Sequence, residues 1–113
     1  MCNDGHGGVP ACQFPRARMI ELSMQWLDGF LMPLLDDPVA MTGTLVVLTF
    51  DESADHSHNR IVTLFLGPMV KSGHTDATCL DHYNVLRTIE DNFGVGTLGG
   101  EDAASSPITS VWR

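Results

Sequence analysis

No apolar run in these 113 residues approaches the roughly 20 that a membrane-spanning helix needs. The longest, residues 45–50, is only strand-sized, so no transmembrane segment is expected. Basic charge is scarce: 6 Lys plus Arg stand against 14 acidic residues, for a net charge of -8. That balance repels phosphate backbones and argues against nucleic acid as a general partner. No basic cluster exists to attract an anionic membrane. The N-terminus reads Met-Cys-Asn-Asp-Gly-His, with neither a basic n-region nor an apolar h-region, so no secretory signal is read there. Cysteine is sparse as well. Cys2, Cys12 and Cys79 make an odd count without C-x-x-C spacing, which leaves two states open: a Cys2–Cys12 bridge with Cys79 left over, or three free thiols. No N-x-S/T sequon occurs. G-x-x-x-x-G-K-[ST], H-E-x-x-H and G-x-S-x-G are all missing.

What is present suits one small mixed domain. The hydrophobic fraction is 43%, ordinary for a globular chain but too little sequence for a large enzyme domain. Residues 1–16 are Gly/Pro-rich and read as loop. From Met19, the residues Ile20, Met24, Leu27 and Leu31 fall at helical spacing, with Trp26 and Phe30 broadening the stripe. This predicts a helix over 18–31 whose stripe packs in the core, ended or kinked by Pro33.

Residues 44–50 (TLVVLTF) and 61–66 (IVTLFL) are continuous, β-branched and apolar. They read as strands buried on both faces of a helix-covered sheet. The ten polar residues between them are short for a crossover with a full helix, so the strand direction stays open. Residues 71–80 read as loop. His82, Val85, Leu86, Ile89 and Phe93 then mark a second helix, with Asp81 as N-cap and Gly94 at the C′ position. In the remainder, Ile108, Val111 and Trp112 are candidates for docking on the body.

Chemistry concentrates at Asp51-Glu52, directly after the first strand. Carboxyl ends of strands are where open α/β sheets bind ligands, and two acids held there suit a cation. The competing reading is a solvated turn. Asn3-Asp4-Gly5-His6 offers polar side chains on a flexible loop, which taken alone reads as an ordinary polar N-terminus. His82 sits at a helix start, where anions are welcome, although bonding a backbone carbonyl is the commoner role for such a histidine. Asp55-His56-Ser57-His58 reads mainly as a solvated loop. Gly94–Gly99 satisfies G-x-G-x-x-G literally but has a helix before it and a loop after it, the wrong context for a dinucleotide site. Neither Ser23 nor Ser53 has a histidine partner at a telling spacing, so the residues give a site and no nucleophile.

Five motifs in order then carry a resemblance. Residues 45–52 (LVVLTFDE), Asn59-Arg60-Ile61, Phe65-Leu66-Gly67-Pro68, Asp81-His82-Tyr83 and Leu86-Arg87-Thr88-Ile89-Glu90 resemble the C-terminal part of the phosphoesterase family of acid phosphatases and phospholipases C, within the alkaline-phosphatase-like superfamily. Asn3–His6 is similar to that family's N-D-x-H stretch, and Trp26-Leu27 with Pro33-Leu34 to the helix after it. The resemblance implies an α/β fold: a partial alkaline-phosphatase-like sheet with flanking helices, truncated on its N-terminal side, with residues 1–113 as the C-terminal portion of one domain. It implies hydrolysis of phosphate esters, either small molecules or phospholipid headgroups, with a divalent metal of open identity. Asp51 and Glu52 match metal ligands, and His6 and His82 match active-site positions.

The family's Ser or Thr nucleophile lies before N-D-x-H, and no residue here matches it. The isolated chain is therefore expected to be inactive, either as part of a hydrolase or as a non-catalytic remnant that binds a metal or a partner. An exposed core would also favour self-association. Members of the family are frequently exported, but these residues carry no address of their own.

Overall fold

A computed structural model describes residues 14–53 and 58–113. The order is α1 (Arg16–Leu35), β1 (Val46–Thr49), β2 (Thr63–Leu66), α2 (His82–Phe93) and α3 (Glu101–Ala104). The chain divides into two compact units, Met1–Leu45 and Val46–Arg113. Among the described residues no helix is long and apolar enough to cross a membrane. The mixture of helices with a small sheet is consistent with the α/β class.

In the first unit, α1 starts two residues earlier than the spacing predicts and runs four residues further. Pro33 lies inside it without ending it. Proline removes one amide donor, yet the ladder resumes at once: the Asp36 amide donates to Met32 O at 2.9 Å. The helix stops at Asp36-Asp37-Pro38, where Asp37 Oδ1 accepts the Val39 and Ala40 amides at 2.8 and 3.1 Å, turning the chain. The apolar stripe differs from the expected core face. Met19 is buried, but Ile20, Met24, Trp26 and Phe30 are exposed. The Trp26 and Phe30 rings stack on each other at 5.2 Å.

In the second unit, β1 and β2 pair antiparallel, with Val46 opposite Leu66 and Thr49 opposite Thr63. A short polar connection permits this pairing, whereas a parallel crossover needs a dozen or more residues. The Thr49 and Thr63 hydroxyls bond across the pair at 2.7 Å, and the Phe50 amide donates to Val62 O at 3.2 Å, carrying the ladder one step further. Both strands are only part-buried, not covered on both faces as their composition predicts. Among the described residues the sheet has two strands, so their apolar surface is only partly enclosed.

Residues 71–80 form loop, as predicted. α2 matches its expected bounds, and Gly94 takes the left-handed conformation at φ 62° that ends it. The C-terminal residues dock as expected. Ile108 and Val111 are buried, Trp112 bridges Val70, and its ring meets Phe65 edge-on at 5.8 Å. The short helix α3 is the element that the Gly/Ser/acid composition concealed.

Candidate active site at the end of β1

The site begins with the capping of α2. Asp81 accepts the amides of Tyr83 and Asn84 at 2.9 and 3.2 Å, while Asn84 Oδ1 accepts the Asp81 amide at 2.8 Å. This reciprocal box satisfies orphan donors and fixes where the helix starts. Asn84 Nδ2 also donates to Ser106 O at 2.9 Å, tying the same turn to the C-terminal segment. His82 is therefore presented from a defined backbone position.

Its ring reaches the carboxyl end of β1. His82 Nε2 lies 2.8 Å from the carbonyl oxygen of Phe50. A carbonyl only accepts, so Nε2 carries the proton and donates, leaving Nδ1 as the ring's other polar atom. Phe50 directly precedes Asp51. The bond thus brings the second helix to the strand end that bears the acidic pair.

Asp51 and Glu52 are both exposed there, and Asp51 Oδ1 accepts the Glu52 amide at 3.0 Å. The loop after them is drawn together by Asn59, whose Oδ1 accepts the Ser53 amide at 2.9 Å. His58 and Asn59 both have positive φ, 62° and 40°. Asparagine tolerates that region better than most residues. The clasp by Asn59 and the use of the Phe50 carbonyl are two features that spacing alone did not assign. The signal for the first was Asn59-Arg60-Ile61, a motif quoted without a structural role.

The two carboxylates offer oxygen donors suited to a divalent cation. Among the described residues, however, no three His, Cys, Asp or Glu gather closely enough to hold a metal ion. The donor chemistry fits a metal, and the described set is partial. His6, with Asn3 and Asp4, lies outside the described residues, as do Cys2, Cys12, Asp55 and His56. Cys79 is a free, exposed thiol. His82 bonds to the residue just before the acidic pair, and His58 follows on the adjoining loop.

The phosphoesterase family model matches residues 11–96. The chain belongs to the phosphoesterase family. It is 32% identical to a probable acid phosphatase of Kluyveromyces lactis over 98% of its own length and 25% of that protein. It is 34% identical to an acid phosphatase of Aspergillus niger, over 94% of the chain and 24% of the relative. A phosphatidylinositol-3-phosphatase of Mycobacterium tuberculosis is 41% identical over 61% of the chain and 22% of the relative. This phosphoesterase chain thus spans about a quarter of the length of the curated relatives it matches. No solved structure matches it significantly.

Proposed function

We propose that this chain carries part of a phosphoester-hydrolysing site, centred on the carboxyl end of β1 within an alkaline-phosphatase-like framework. The observation that carries the reading is the 2.8 Å bond from His82 to the Phe50 carbonyl, which joins two motifs distant in sequence at one strand end. The family match and the relatives, an acid phosphatase and a phosphatidylinositol-3-phosphatase among them, support the chemical class.

In this reading Asp51 and Glu52 supply oxygen ligands to a divalent metal. Their position at the end of a hydrogen-bonded strand limits how far the two carboxylates can move apart. When bound, such a metal supplies Lewis-acid chemistry at a phosphoryl oxygen. His82 is held by Phe50 in an orientation that leaves Nδ1 for substrate or solvent, where an imidazole can exchange a proton or hydrogen-bond an oxyanion. His6 joins the site through its place in the N-D-x-H motif. The reading treats the 113 residues as part of one phosphoesterase domain, with the nucleophile matched to none of them. The substrate class is a phosphate ester, either a small phosphomonoester or a phospholipid headgroup.

A second reading, a non-catalytic chain that binds a metal or associates with a partner, is favoured by the exposed apolar side chains. Trp26 and Phe30 in one unit and Val62, Leu64 and Phe93 in the other are all exposed. The discriminating experiment is hydrolysis of p-nitrophenyl phosphate by the full chain with added divalent metals. Metal-dependent turnover that disappears in Asp51→Ala supports the hydrolase. Metal uptake without turnover is the outcome that both readings allow, because no residue here matches the nucleophile.

A further inference from the structure

The second unit buries an acid pair away from the β1 site. Glu90, on the last turn of α2, is 4% exposed, and Asp102, on α3, is 2% exposed. α2 and α3 pack on one another, and each of the two carboxyl groups acts on the titration of the other. Two neighbouring carboxylates withdrawn from water repel each other, so burial favours a pair in which one of the two holds a proton.

The backbone assigns which. Asp102 Oδ2 accepts the Leu98 amide at 2.6 Å, and Oδ1 accepts the Gly100 amide at 2.9 Å. Both oxygens of Asp102 are thus committed as acceptors, the arrangement that favours an anion. Glu90 Oε2 is buried with no hydrogen-bond partner; the Leu98 amide and Arg87 favour a charge on Glu90, but burial and Asp102 outweigh them. The proton belongs to Glu90. Titration preferences agree with this geometry. Burial, and then the charge of Asp102, push Glu90 above the ordinary glutamate value. Burial also pushes Asp102 upward, but the Leu98 and Gly100 amides with its other hydrogen bonds outweigh it and hold Asp102 below the ordinary aspartate value.

The neighbouring charges leave the pair largely to itself. Arg87, the cation on α2 that draws Glu90 down, has its Nε on Asp91 at 2.8 Å and its Nη1 near Ala103 O at 3.5 Å. Besides Asp102, the charged residue on α3 is Glu101, which is exposed.

We propose that Glu90 and Asp102 form a one-proton latch that clasps α3 and the glycine-rich turn 94–100 onto α2 in acid and loosens as pH rises. Loss of the proton leaves two buried anions in contact, and lifting α3 is the direct way to rehydrate them. The latched segment leads into Ile108 and Val111, the buried apolar residues of this unit. The sign follows from linkage. A group with a raised folded value adds stability that is complete below its unfolded value and is lost as pH rises through the folded one.

Two measurements on the full chain test the latch. In a carboxyl-carbon NMR titration, Glu90 is expected to titrate above its ordinary 4.5. In amide exchange between about pH 4 and about pH 8, Leu98 and Gly100 should speed up as much as about tenfold more per pH unit than base catalysis alone, over the interval in which the latch loses its proton. Glu90→Gln keeps a donor for Asp102 and cannot ionise, so it should abolish the extra steepness. A Glu90 midpoint in the ordinary range overturns the proposal. So does wild-type exchange without added steepness, or the same steepness in the glutamine variant. If that variant does not fold, the wild-type titration decides alone.

Discussion

His82 Nε2 donates to the carbonyl oxygen of Phe50 across 2.8 Å, linking the first residue of α2 to the residue immediately before Asp51. Thirty-two positions of sequence separate the two. The bond holds a histidine at a helix start against the strand end that leads into the acid pair: the cap on α2 and the ladder of β1 fix its two ends independently.

Replacing His82 by Ala removes this link at an exposed position, where the Phe50 carbonyl can turn to water. Urea denaturation should show a loss of about 1 kcal/mol. Any metal uptake at Asp51 and Glu52 should weaken alongside, because the strand end loses its anchor. A variant of unchanged stability and unchanged metal affinity would show that the bond is incidental.

The cap beneath that histidine is worth a similar amount. Asp81 accepts two amides of the first turn, so Asp81→Ala should cost about 1 kcal/mol in urea denaturation, whereas Asp81→Asn should recover most of it. Equal losses for both variants would point to charge rather than capping.

A third expectation concerns acid. The Ser110 hydroxyl bonds to Asp76, and with the Thr78 side chain and amide it holds that carboxylate down to about 2 from an ordinary 3.8. A depressed acid contributes stability that is present above its unfolded value and lost as pH falls through its folded one. The wild type should therefore lose this contribution between 3.8 and about 2. Ser110→Ala should melt lower at neutral pH and approach the wild type at the acid end, as read by thermal denaturation at several pH values. A melting difference independent of pH would assign the loss to something other than Asp76.

The C-terminal docking gives a fourth. Ile108 is 4% exposed, and its amide donates to the buried Thr88 hydroxyl at 2.8 Å. Ile108→Ala keeps that amide and removes the packing, so it should cost about 2–4 kcal/mol in chemical denaturation. A cost below half a kcal/mol would mean that the segment is not held by this contact.

Much of this architecture was legible in the sequence. Asp81 and Gly94 marked the ends of α2 because caps follow local backbone rules, and Ile108, Val111 and Trp112 showed as isolated apolar residues in a polar tail. The strand positions were legible too, but not their direction or burial. Apolar composition reports what a strand is suited to face, not which surfaces cover it. For the same reason the stripe of Ile20, Met24 and Phe30 read as core, yet it is exposed. Pro33 read as an end or a kink, and the helix ran on because one missing donor does not stop a helix whose later amides still find carbonyls. Asp51, Glu52 and His82 were legible as separate candidates. The bond from His82 to the strand end was not, because it runs to a backbone carbonyl, which has no sequence signature. The Glu90–Asp102 pair was hidden by the same ambiguity: an acid on an amphipathic helix reads as solvated until a second acid is found against it.

The central claim is that Asp51 and Glu52 at the end of β1 hold a divalent metal. Isothermal titration of the full chain with manganese, zinc, magnesium and calcium, beside the Asp51→Ala and Glu52→Ala variants, tests it most directly. The account predicts saturable uptake of at least one of these ions by the wild type and at least about a tenfold loss of affinity in each variant, the scale of about 1.4 kcal/mol. Uptake unchanged in both variants, or no uptake by the wild type, would contradict it.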